Sequence, residues 1–454
     1  MLSRRSLTPF IPAFLLLSHL ALPGTAAWAQ QALGDPFSDS ETYLGEDPGR
    51  YAMVRTVEGA VTLFKDGSAE TLERGLPIAE GDVVESHGRG VLQLGDGTLV
   101  AFGPGTRLRI QVLDAEGRDG RIVLALERGR LRIRRPVRSD ASLRVETPAG
   151  AASLEEGGRG DLSLETDEGG RTLFRIHGGR GVFANGQGTA RLFAGERLTV
   201  YGPGDGLDRV ADFNSYALDG FDAWAGDLLA VRPGEAALHV PASLRWYAGD
   251  LDNAGSWVYV DEEATWCWRP RGVDAEWRPY LRGRWGAFRG GLTWISHEPW
   301  GYVTHHHGRW GWSGAFGWYW IPGAAYSPAW VAWGGDGARL GWAPLGRHNR
   351  PSVWTGGAPC WHVVDVRHAG AHDLFRHLRA ERRGFEDRSW GSRPWHGGRL
   401  LMARGEWNDP DRLRQVLARP EILRQRETAW HGSAPGRFRH PEPPRVDPPR
   451  VDPP

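Results

Sequence analysis

A tryptophan repeat between Trp246 and Trp361 constrains the fold of this chain more than any other feature. The stretch holds 17 of the 23 tryptophans in a chain of 454 residues. Tryptophans nine or ten residues apart recur along it, and the first members of successive pairs are separated by 28, 25 and 23 residues. A regular period of this size indicates a repeated supersecondary unit. The pairs are Trp257 and Trp266, Trp285 and Trp294, Trp310 and Trp320, and Trp333 and Trp342.

Each unit of the repeat is predicted to be a β-hairpin. Turn formers such as Gly290-Gly291 and Ser313-Gly314 lie between the paired tryptophans, and glycine adopts a positive φ without a steric penalty. The flanks, such as 257–260 and 292–296, are rich in Trp, Tyr, Val and Thr, which suit a half-buried strand. One hairpin is marginal alone, so we expect four hairpins to share an aromatic core. A sheet, a small barrel and a linear stack all remain open.

The sequence motifs of the repeat resemble those of a known family. The segment 244–346 is similar to a Trp-rich domain of bacterial envelope proteins that commonly follows a FecR-type domain and has no known function. This resemblance implies an architecture and a compartment, and it implies no activity. The chain departs from the family pattern at His305-His306-His307. The motifs that carry the resemblance are Trp277-Arg278-Pro279-Tyr280, Gly283-Arg284-Trp285, Glu298-Pro299-Trp300-Gly301-Tyr302 and Gly341-Trp342-Ala343-Pro344-Leu345.

Residues 52–205 show the pattern of an all-β domain. Apolar and polar residues alternate along short segments, which is typical of half-buried strands. Asp66-Gly67, Asp96-Gly97 and Asn185-Gly186 are strong hairpin turns, and no long helical segment interrupts them. The segment resembles a FecR-type domain. The residues that carry this resemblance are Val57-x-Gly59-x-Val61, Leu94-x-Asp96-Gly97-Thr98 and Gly129-x-Leu131.

The first 29 residues are predicted to be an export signal. Arg4-Arg5 precede a short apolar run, and Ala27-Trp28-Ala29 fits the small-x-small cleavage pattern, which places cleavage after Ala29. The apolar run is too short to span a bilayer. We therefore expect a periplasmic or secreted protein without a transmembrane segment, exported by the Sec route or, as the alternative that Arg4-Arg5 permits, by the twin-arginine route.

The remaining segments are connectors and a tail. Residues 30–51 are predicted to be a linker, and 206–243 a helical connector with a helix from Phe213 to Val231. Residues 347–440 are rich in Arg and His and partly helical, with helices predicted at 373–383 and after Asp409, where Pro410 takes the first helical position. This segment could contact anionic surfaces weakly and in a salt-dependent way. The Pro-rich tail, 441–454, is predicted to be disordered.

Three groups of residues are candidate sites. The tryptophans are either core or a stacking platform for sugars, and in the second case Trp285, Trp300 and Trp310 would bind ligand, with Arg284 and Arg309 holding acidic groups. If His305 and His307 lie on a strand they share a face and could ligate a metal, although exposed edge residues are the simpler interpretation. Cys267 and Cys360 either form a disulfide or remain two buried thiols.

The sequence predicts a mainly β protein, in which a FecR-like all-β domain precedes the Trp-rich four-hairpin domain. No catalytic constellation and no cofactor motif stand out, so an enzyme is not expected. The leading hypothesis is an exported, non-enzymatic envelope interaction or scaffold protein whose partner is an envelope protein or a cell-wall polymer. The alternative is a module that binds carbohydrate through exposed Trp and Arg. Nucleic acid is not expected as a partner in an exported protein.

Overall fold

A computed structural model of the chain shows a mainly β protein, as the sequence predicts. The predicted signal peptide and Pro-rich tail, and nearly all of the predicted linker, lie outside the described residues. The structure describes residues 51–381, except for 66, 116–118, 136–138, 156–157, 231–233, 289–290, 336–337 and 353–359, and it also describes 395–396, 407 and 409–417.

Two sheets make up the N-terminal β domain, and every strand pairing in them is antiparallel except that of β9 with β10. The first sheet contains β1 (Ala52–Glu58), β4 (Pro77–Ile78), β6 (Arg89–Leu94), β7 (Leu99–Phe102), β12 (Gly160–Thr166), β13 (Thr172–Gly178), β16 (Glu196–Val200) and β17 (Ala211–Asp212). The second contains β2 (Val61–Lys65), β3 (Ser68–Thr71), β5 (Val83–Ser86), β8 (Arg107–Asp114), β10 (Ser142–Thr147), β11 (Gly150–Leu154), β14 (Arg180–Asn185) and β15 (Gly188–Phe193).

One long strand, β9 (Arg121–Arg135), belongs to both sheets. Its first half pairs with β8 and β10, and its second half pairs with β7 and β12. The change of sheet occurs at Gly129, which has a φ of +96°. A Cβ atom at this position would lie 2.3 Å from the Cα of Thr106, so the bend requires glycine. The two sheets enclose one aliphatic core that includes Leu131 and Ile133.

The helical connector is shorter than the sequence predicts. Helix α1 spans Gly220–Leu228 and begins where the side chain of Asp219 accepts a hydrogen bond from the backbone N–H of Asp222. Phe213, the predicted first residue, lies before the helix, and its ring packs against His177 at 5.2 Å. Two further short helices follow, α2 (Ala236–His239) and α3 (Ala248–Ala254).

The four predicted hairpins are present. They are β18 (Gly255–Val260) with β19 (Thr265–Pro270), β20 (Gly283–Phe288) with β21 (Gly291–Ser296), β22 (His307–Ser313) with β23 (Gly317–Tyr326), and β24 (Val331–Gly335) with β25 (Arg339–Pro344). We call them hairpins 1 to 4. In hairpins 2, 3 and 4 the paired tryptophans face each other directly across the strands, as predicted. Hairpin 1 differs, because Trp257 faces Trp268, and Trp266 faces Tyr259.

The hairpins combine in alternation along the chain. Hairpins 1 and 3 form one four-stranded sheet, joined where Trp268 pairs with Trp320. Hairpin 4 is extended by β26 (Trp361–Asp365), β27 (Arg379–Glu381) and β28 (Trp395–His396) into a five-stranded sheet. Hairpin 2 joins neither sheet and packs on hairpin 4 through tryptophan rings. The centroid of Trp285 lies 4.3 Å from that of Trp333 and 5.6 Å from that of Trp342.

Hairpin 2 also packs against the β domain. Ile295 belongs to the aliphatic core of that domain, and Phe288 packs with Tyr51 at 5.9 Å. Arg284 Nε donates to Glu73 Oε1 at 2.6 Å. Trp285 and Ile295 project from opposite faces, because side chains alternate along a strand. One face of hairpin 2 therefore serves the aromatic core and the other serves the contact between the two domains.

The helices in this half of the chain agree with the sequence predictions only in part. The predicted helix at 373–383 is wrong, since a 3₁₀ turn at Leu374–His377 is followed by β27. Helix α4 (Gly301–His306) lies within the repeat, and α5 (Pro410–Leu417) lies near the C-terminus. Asp409 Oδ1 accepts hydrogen bonds from the backbone N–H groups of Asp411 and Arg412, which confirms the predicted start of α5.

Candidate functional site

The tryptophans predicted as a ligand platform lie in the core. Trp285 and Trp310 are each 1% exposed, and Trp300 is 8% exposed. Trp310 packs against Trp277 at 5.5 Å, and Trp300 packs against Trp268 at 5.6 Å. Their ring faces contact other rings, so they form no surface platform. The platform interpretation is corrected for these three residues, because the four hairpins need them as shared packing.

The two arginines predicted to hold acidic ligand groups are engaged inside the protein. Arg284 pairs with Glu73 across the contact between the domains. Arg309 is 2% exposed, and its guanidinium carbon lies 3.3 Å from the ring centre of Trp330, which is a close cation–π contact. Its Nε also donates to Asn349 Oδ1 at 2.7 Å. Both side chains therefore stabilise packing, and the structure does not present them as a surface pair for a ligand.

The three consecutive histidines do not lie on one strand. His305 and His306 end helix α4, and His307 begins β22. All three are buried, and Nδ1 of each contacts a backbone carbonyl oxygen, that of Gly301, Ser327 or Ala324. Burial lowers the pKa of His305 and of His307 to about 3 and that of His306 to about 4, so the rings are neutral at pH 7. The predicted metal pair is corrected to structural histidines.

Cys267 and Cys360 are both free and buried, so the structure shows the second of the two predicted alternatives, buried thiols without a disulfide. Cys267 packs with Val260 and Tyr319 in a small cluster, whereas Cys360 belongs to the main aromatic core. Burial raises the pKa of the Cys360 thiol to about 12 and that of Cys267 further still. Because the thiolate is the reactive form, the raised pKa values keep both buried thiols unreactive near neutral pH.

A buried polar network surrounds the loop Trp277-Arg278-Pro279-Tyr280. The backbone N–H of Tyr280 donates to His305 Nε2 at 3.2 Å, and the Tyr280 hydroxyl donates to the His305 carbonyl oxygen at 2.7 Å. The Tyr280 carbonyl accepts from the indole N–H of Trp342 at 3.2 Å. Tyr280 has a φ of +62°, which is strained for a bulky residue and is held by these bonds. The sequence marks this loop only through its family resemblance.

Glu298 is the one buried carboxyl group of this network. The indole N–H of Trp277 donates to its Oε1, and its Oε2 lies 3.8 Å from His305 Nε2. Burial raises the pKa of Glu298 to about 7, although the Trp277 hydrogen bond opposes the shift. A carboxyl group that titrates near neutral pH is a common property of catalytic acids and bases. The cavity beside Glu298 is only about 20 Å³, which leaves room for a single water molecule and no substrate.

A larger cleft lies where the two domains meet. It measures about 390 Å³, and its walls include Lys65, Glu70, Arg284, Phe288 and His372. Lys65, the only lysine in the chain, lies 3.7 Å from Asp82 and places its Nζ 4.2 Å from the centre of the Phe288 ring. Clefts between domains are common ligand sites. Here Lys65 and Arg284 both contact carboxylates of the protein, so the cleft shows charge balance and no preference for an anion.

An aromatic surface on hairpin 1 remains open to solvent. Among the tryptophans whose side chains the structure describes, Trp266 is the only exposed one, at 43%. Tyr259 faces it across the strands and is 49% exposed. His239 of helix α2 lies between Trp257 and Trp266, with ring centroids 4.7 and 4.9 Å away. No sequence signal separates Trp266 from the other repeat tryptophans, because its exposure depends on the tertiary fold.

The described part of the chain contains neither a metal-binding cluster nor a membrane-spanning helix. No group of three or more His, Cys, Asp or Glu side chains within it could hold a metal ion. None of the helices that the structure describes is long and apolar enough to cross a membrane.

Comparison with known proteins shows a family similarity over part of the chain. A family of unknown function (DUF6600) matches residues 248–349, which contain all four hairpins. A putative anti-sigma factor from Parabacteroides distasonis, solved at 2.50 Å and at 1.65 Å, aligns with 29% of this chain and 58% of its own, at 15% and 14% identity and a TM-score of 0.25. The alignment thus spans a little over half of that protein. No curated protein matches the chain. Over 248–349, the chain is similar to a family without an assigned function.

Proposed function

We propose that the chain is an exported, non-enzymatic protein of the bacterial envelope that acts through molecular interaction. The observation that carries the proposal is the division of aromatic side chains between core and surface. The repeat tryptophans that form pairs across hairpins 2, 3 and 4 are buried, whereas Trp266 and Tyr259 of hairpin 1 are exposed side by side. A pair of exposed aromatic rings beside a buried aromatic core fits a binding module.

The polar groups that would suggest catalysis support the same proposal. His305 and Tyr280 are buried in hydrogen bonds that hold backbone segments together, and Glu298 has no cavity large enough for a substrate beside it. Contacts between the two domains, such as the pair of Arg284 with Glu73, hold the repeat against the β domain. Export is proposed from the N-terminal Arg4-Arg5, the apolar run and the Ala-x-Ala site.

The proposal is tested by finding where the chain goes and what it retains. The full-length gene product, expressed in its own host, should be recovered outside the cytoplasm with Gln30 at its N-terminus. The purified mature protein, immobilised and exposed to the envelope fraction of that host, should retain a specific partner or polymer. A full-length species that stays in the cytoplasm, or a mature protein that retains nothing from the envelope, would contradict the proposal.

A cell-wall or other carbohydrate polymer is the second candidate for the partner, and one observation favours it. Exposed tryptophan and tyrosine rings on one face of a sheet suit the C–H faces of sugar rings. The residues differ from those predicted from the sequence, since Trp266 and Tyr259 replace Trp285, Trp300 and Trp310.

A further inference from the structure

The aromatic surface of hairpin 1 is built from residues that the fold sets side by side. Trp257 and Tyr259 lie on one face of β18, and their cross-strand partners Trp268 and Trp266 lie on the same face of β19. On this face Trp268 is fully buried, whereas Tyr259 and Trp266 near the turn are exposed. The four rings therefore run from the core to the surface.

The exposed rings are held in place by their neighbours. His239 packs against both Trp257 and Trp266, with tilts of 39° and 31° between the ring planes. Tyr259 meets Trp266 at 78°, with ring centroids 5.9 Å apart. The two exposed rings thus form a corner rather than a flat patch. A surface that is ordered before binding loses little entropy when a ligand docks.

Carboxylates predominate beside the rings, although Arg347 also contacts the turn of hairpin 1, where its guanidinium pairs with Glu263. Asp261 and Glu262 are exposed in the turn that follows Tyr259 and Val260. On the other side, Glu235 is exposed and its Oε1 lies 3.8 Å from Nε2 of His239. These carboxylates can accept hydrogen bonds from hydroxyl and amide groups, but they would repel an anionic polymer. The indole N–H of Trp257 is a buried donor without a hydrogen-bond partner among the described residues.

We propose that Tyr259, Trp266 and the ring of His239 form a binding site for an uncharged β-linked glycan, such as a chain of N-acetylhexosamine or neutral hexose units. The inference rests on the proposed function and deepens it by naming the ligand class. Each sugar unit of a β-linked chain presents a C–H face, and one such face can pack against the exposed part of the Trp266 ring while the Tyr259 ring borders it at 78°. The hydroxyl and acetamido N–H groups of the chain donate to carboxylates such as Glu235 and Asp261. A polyuronate or other polyanion is disfavoured by the same carboxylates.

The site is tested by titrating the full mature protein with a soluble β-1,4-linked N-acetylglucosamine hexamer and with a β-glucan hexamer, and by following tryptophan fluorescence and calorimetric heat. Wild type should bind at least one of the two. Trp266→Ala should weaken the affinity at least tenfold, Tyr259→Ala should weaken it several-fold, and Trp266→Phe should retain most of it. Phe193→Ala, which removes a 48% exposed ring from the β domain, is the matched control and should leave binding unchanged.

Charge selectivity provides the second arm of the test. Alginate, as a polyuronate probe, should bind at least tenfold more weakly than the neutral hexamers, and Asp261→Asn with Glu262→Gln should reduce that difference. The inference is overturned if wild type binds neither neutral hexamer, if Trp266→Ala binds like wild type, or if binding is confined to alginate and disappears with salt.

The outcomes separate the inference from the proposed function. An envelope fraction that is retained equally by wild type and Trp266→Ala would refute the glycan site and leave the interaction role standing. Retention that is abolished by protease treatment of the envelope fraction would point to a protein partner and would also refute the glycan site. A wild-type protein that retains nothing from the envelope would refute the proposed function itself.

Discussion

The two domains solve the problem of burying apolar surface with different side chains. The β domain buries mainly Leu, Ile and Val between its two sheets. The Trp-rich domain buries indole and phenol rings, with histidine rings among them. Aliphatic side chains carry no polar atoms, so the first core is complete once it is filled. Each indole brings an N–H group whose burial costs free energy unless an acceptor is supplied.

Loop backbone that runs through the aromatic core supplies acceptors to some of its indoles, whereas the indole N–H groups of Trp285, Trp294 and Trp300 are buried without an acceptor among the described residues. The indole N–H groups of Trp310, Trp320 and Trp330 donate to the carbonyl oxygens of Thr304, His307 and His306. These carbonyls lie on helix α4 and on the residue that follows it. Helix α4 and the histidines therefore pack against the hairpins and also supply hydrogen-bond acceptors to them. The lesson of the comparison is that an aromatic core is also a hydrogen-bond network, and it should fail when that network is perturbed.

Acid should give the largest difference between the two domains. The pKa values of His305, His306 and His307 are depressed to about 3, 4 and 3, against about 6.5 when unfolded. A depressed pKa contributes stability above pH 6.5 that is lost as the pH falls toward the folded value, by about 1.4 kcal/mol per pH unit for each ring. Glu298 acts in the opposite direction, because its pKa is raised to about 7 and protonation between pH 7 and 4.5 favours the folded state. Three rings outweigh one carboxyl group.

We therefore expect the Trp-rich domain to unfold between pH 6 and pH 4 while the β domain stays folded. Tryptophan fluorescence should report the first event, and far-UV circular dichroism should show that strand signal persists. The β domain has one partly comparable group, His177, whose pKa is lowered mainly by burial. A single acid transition seen equally by both probes would contradict a difference between the cores.

Truncation of a core ring should give the next largest effect, and it can separate packing from hydrogen bonding. Trp342→Ala should lower the free energy of unfolding by about 3–5 kcal/mol. Trp342→Phe keeps a ring but removes the donor to the Tyr280 carbonyl, and it should still cost about 1–3 kcal/mol. Phe102→Leu in the β domain is the control, since it removes no hydrogen bond. If urea melts show equally small losses of unfolding free energy for Trp342→Phe and Phe102→Leu, the indole hydrogen bond does not contribute to the stability of the aromatic core.

Glu298→Gln should sharpen the comparison further. Because the folded pKa of Glu298 is raised, the ionised carboxylate opposes folding above pH 7, and glutamine lacks that charge while it can still accept from Trp277. We expect the variant to be more stable than wild type by about 2–3 kcal/mol at pH 8.5 and by much less at pH 5. Urea melts at the two pH values measure this. A variant that is equally destabilised at both would mean that the carboxylate itself is required.

The smallest expected effect concerns the contact between the domains. Arg284 and Glu73 are 11% and 26% exposed, so their ion pair is partly screened and should contribute about 1 kcal/mol. Arg284→Ala should separate the thermal transitions of the two domains by a few degrees in calorimetry. Arg89→Ala breaks the more exposed pair with Glu58 and serves as the control. Transitions that remain superimposed in Arg284→Ala would mean that the pair does not couple the domains.

Local features of the fold could be predicted from the sequence, whereas features set by distant contacts could not. The spacing of tryptophans around glycine turns predicts the hairpins, because turn geometry is a local property. The register of hairpin 1 was missed because Trp266 and Trp268 are both available as partners of Trp257. The sequence predicts a strand at His305, but the structure has a helix there. The His305 ring contacts the Gly301 carbonyl oxygen one helical turn earlier and the backbone N–H of Tyr280 in a distant loop.

The candidate site was predicted less well than the fold, and the reason is also physical. The sequence shows that some tryptophans could be a platform, but it cannot show which ring faces are covered. Which ring faces are covered depends on how the hairpins combine, because hairpin 1 pairs with hairpin 3 and hairpin 2 packs on hairpin 4. The second contact brings the ring of Trp285 against that of Trp333, 48 residues later in the sequence. Trp266 escapes burial because it lies near the turn of hairpin 1, beyond the point where β19 meets β23.

The central claim is that the repeat tryptophans are core while Trp266 is surface, and a paired urea melt of the full mature chain tests it most directly. Trp285→Ala should lower the free energy of unfolding by about 3–5 kcal/mol and shift the midpoint strongly, whereas Trp266→Ala should cost under about 1 kcal/mol. Both variants should fold at pH 7.5, so that the midpoints can be compared. An unshifted midpoint for Trp285→Ala, or equal losses for the two variants, would contradict the account.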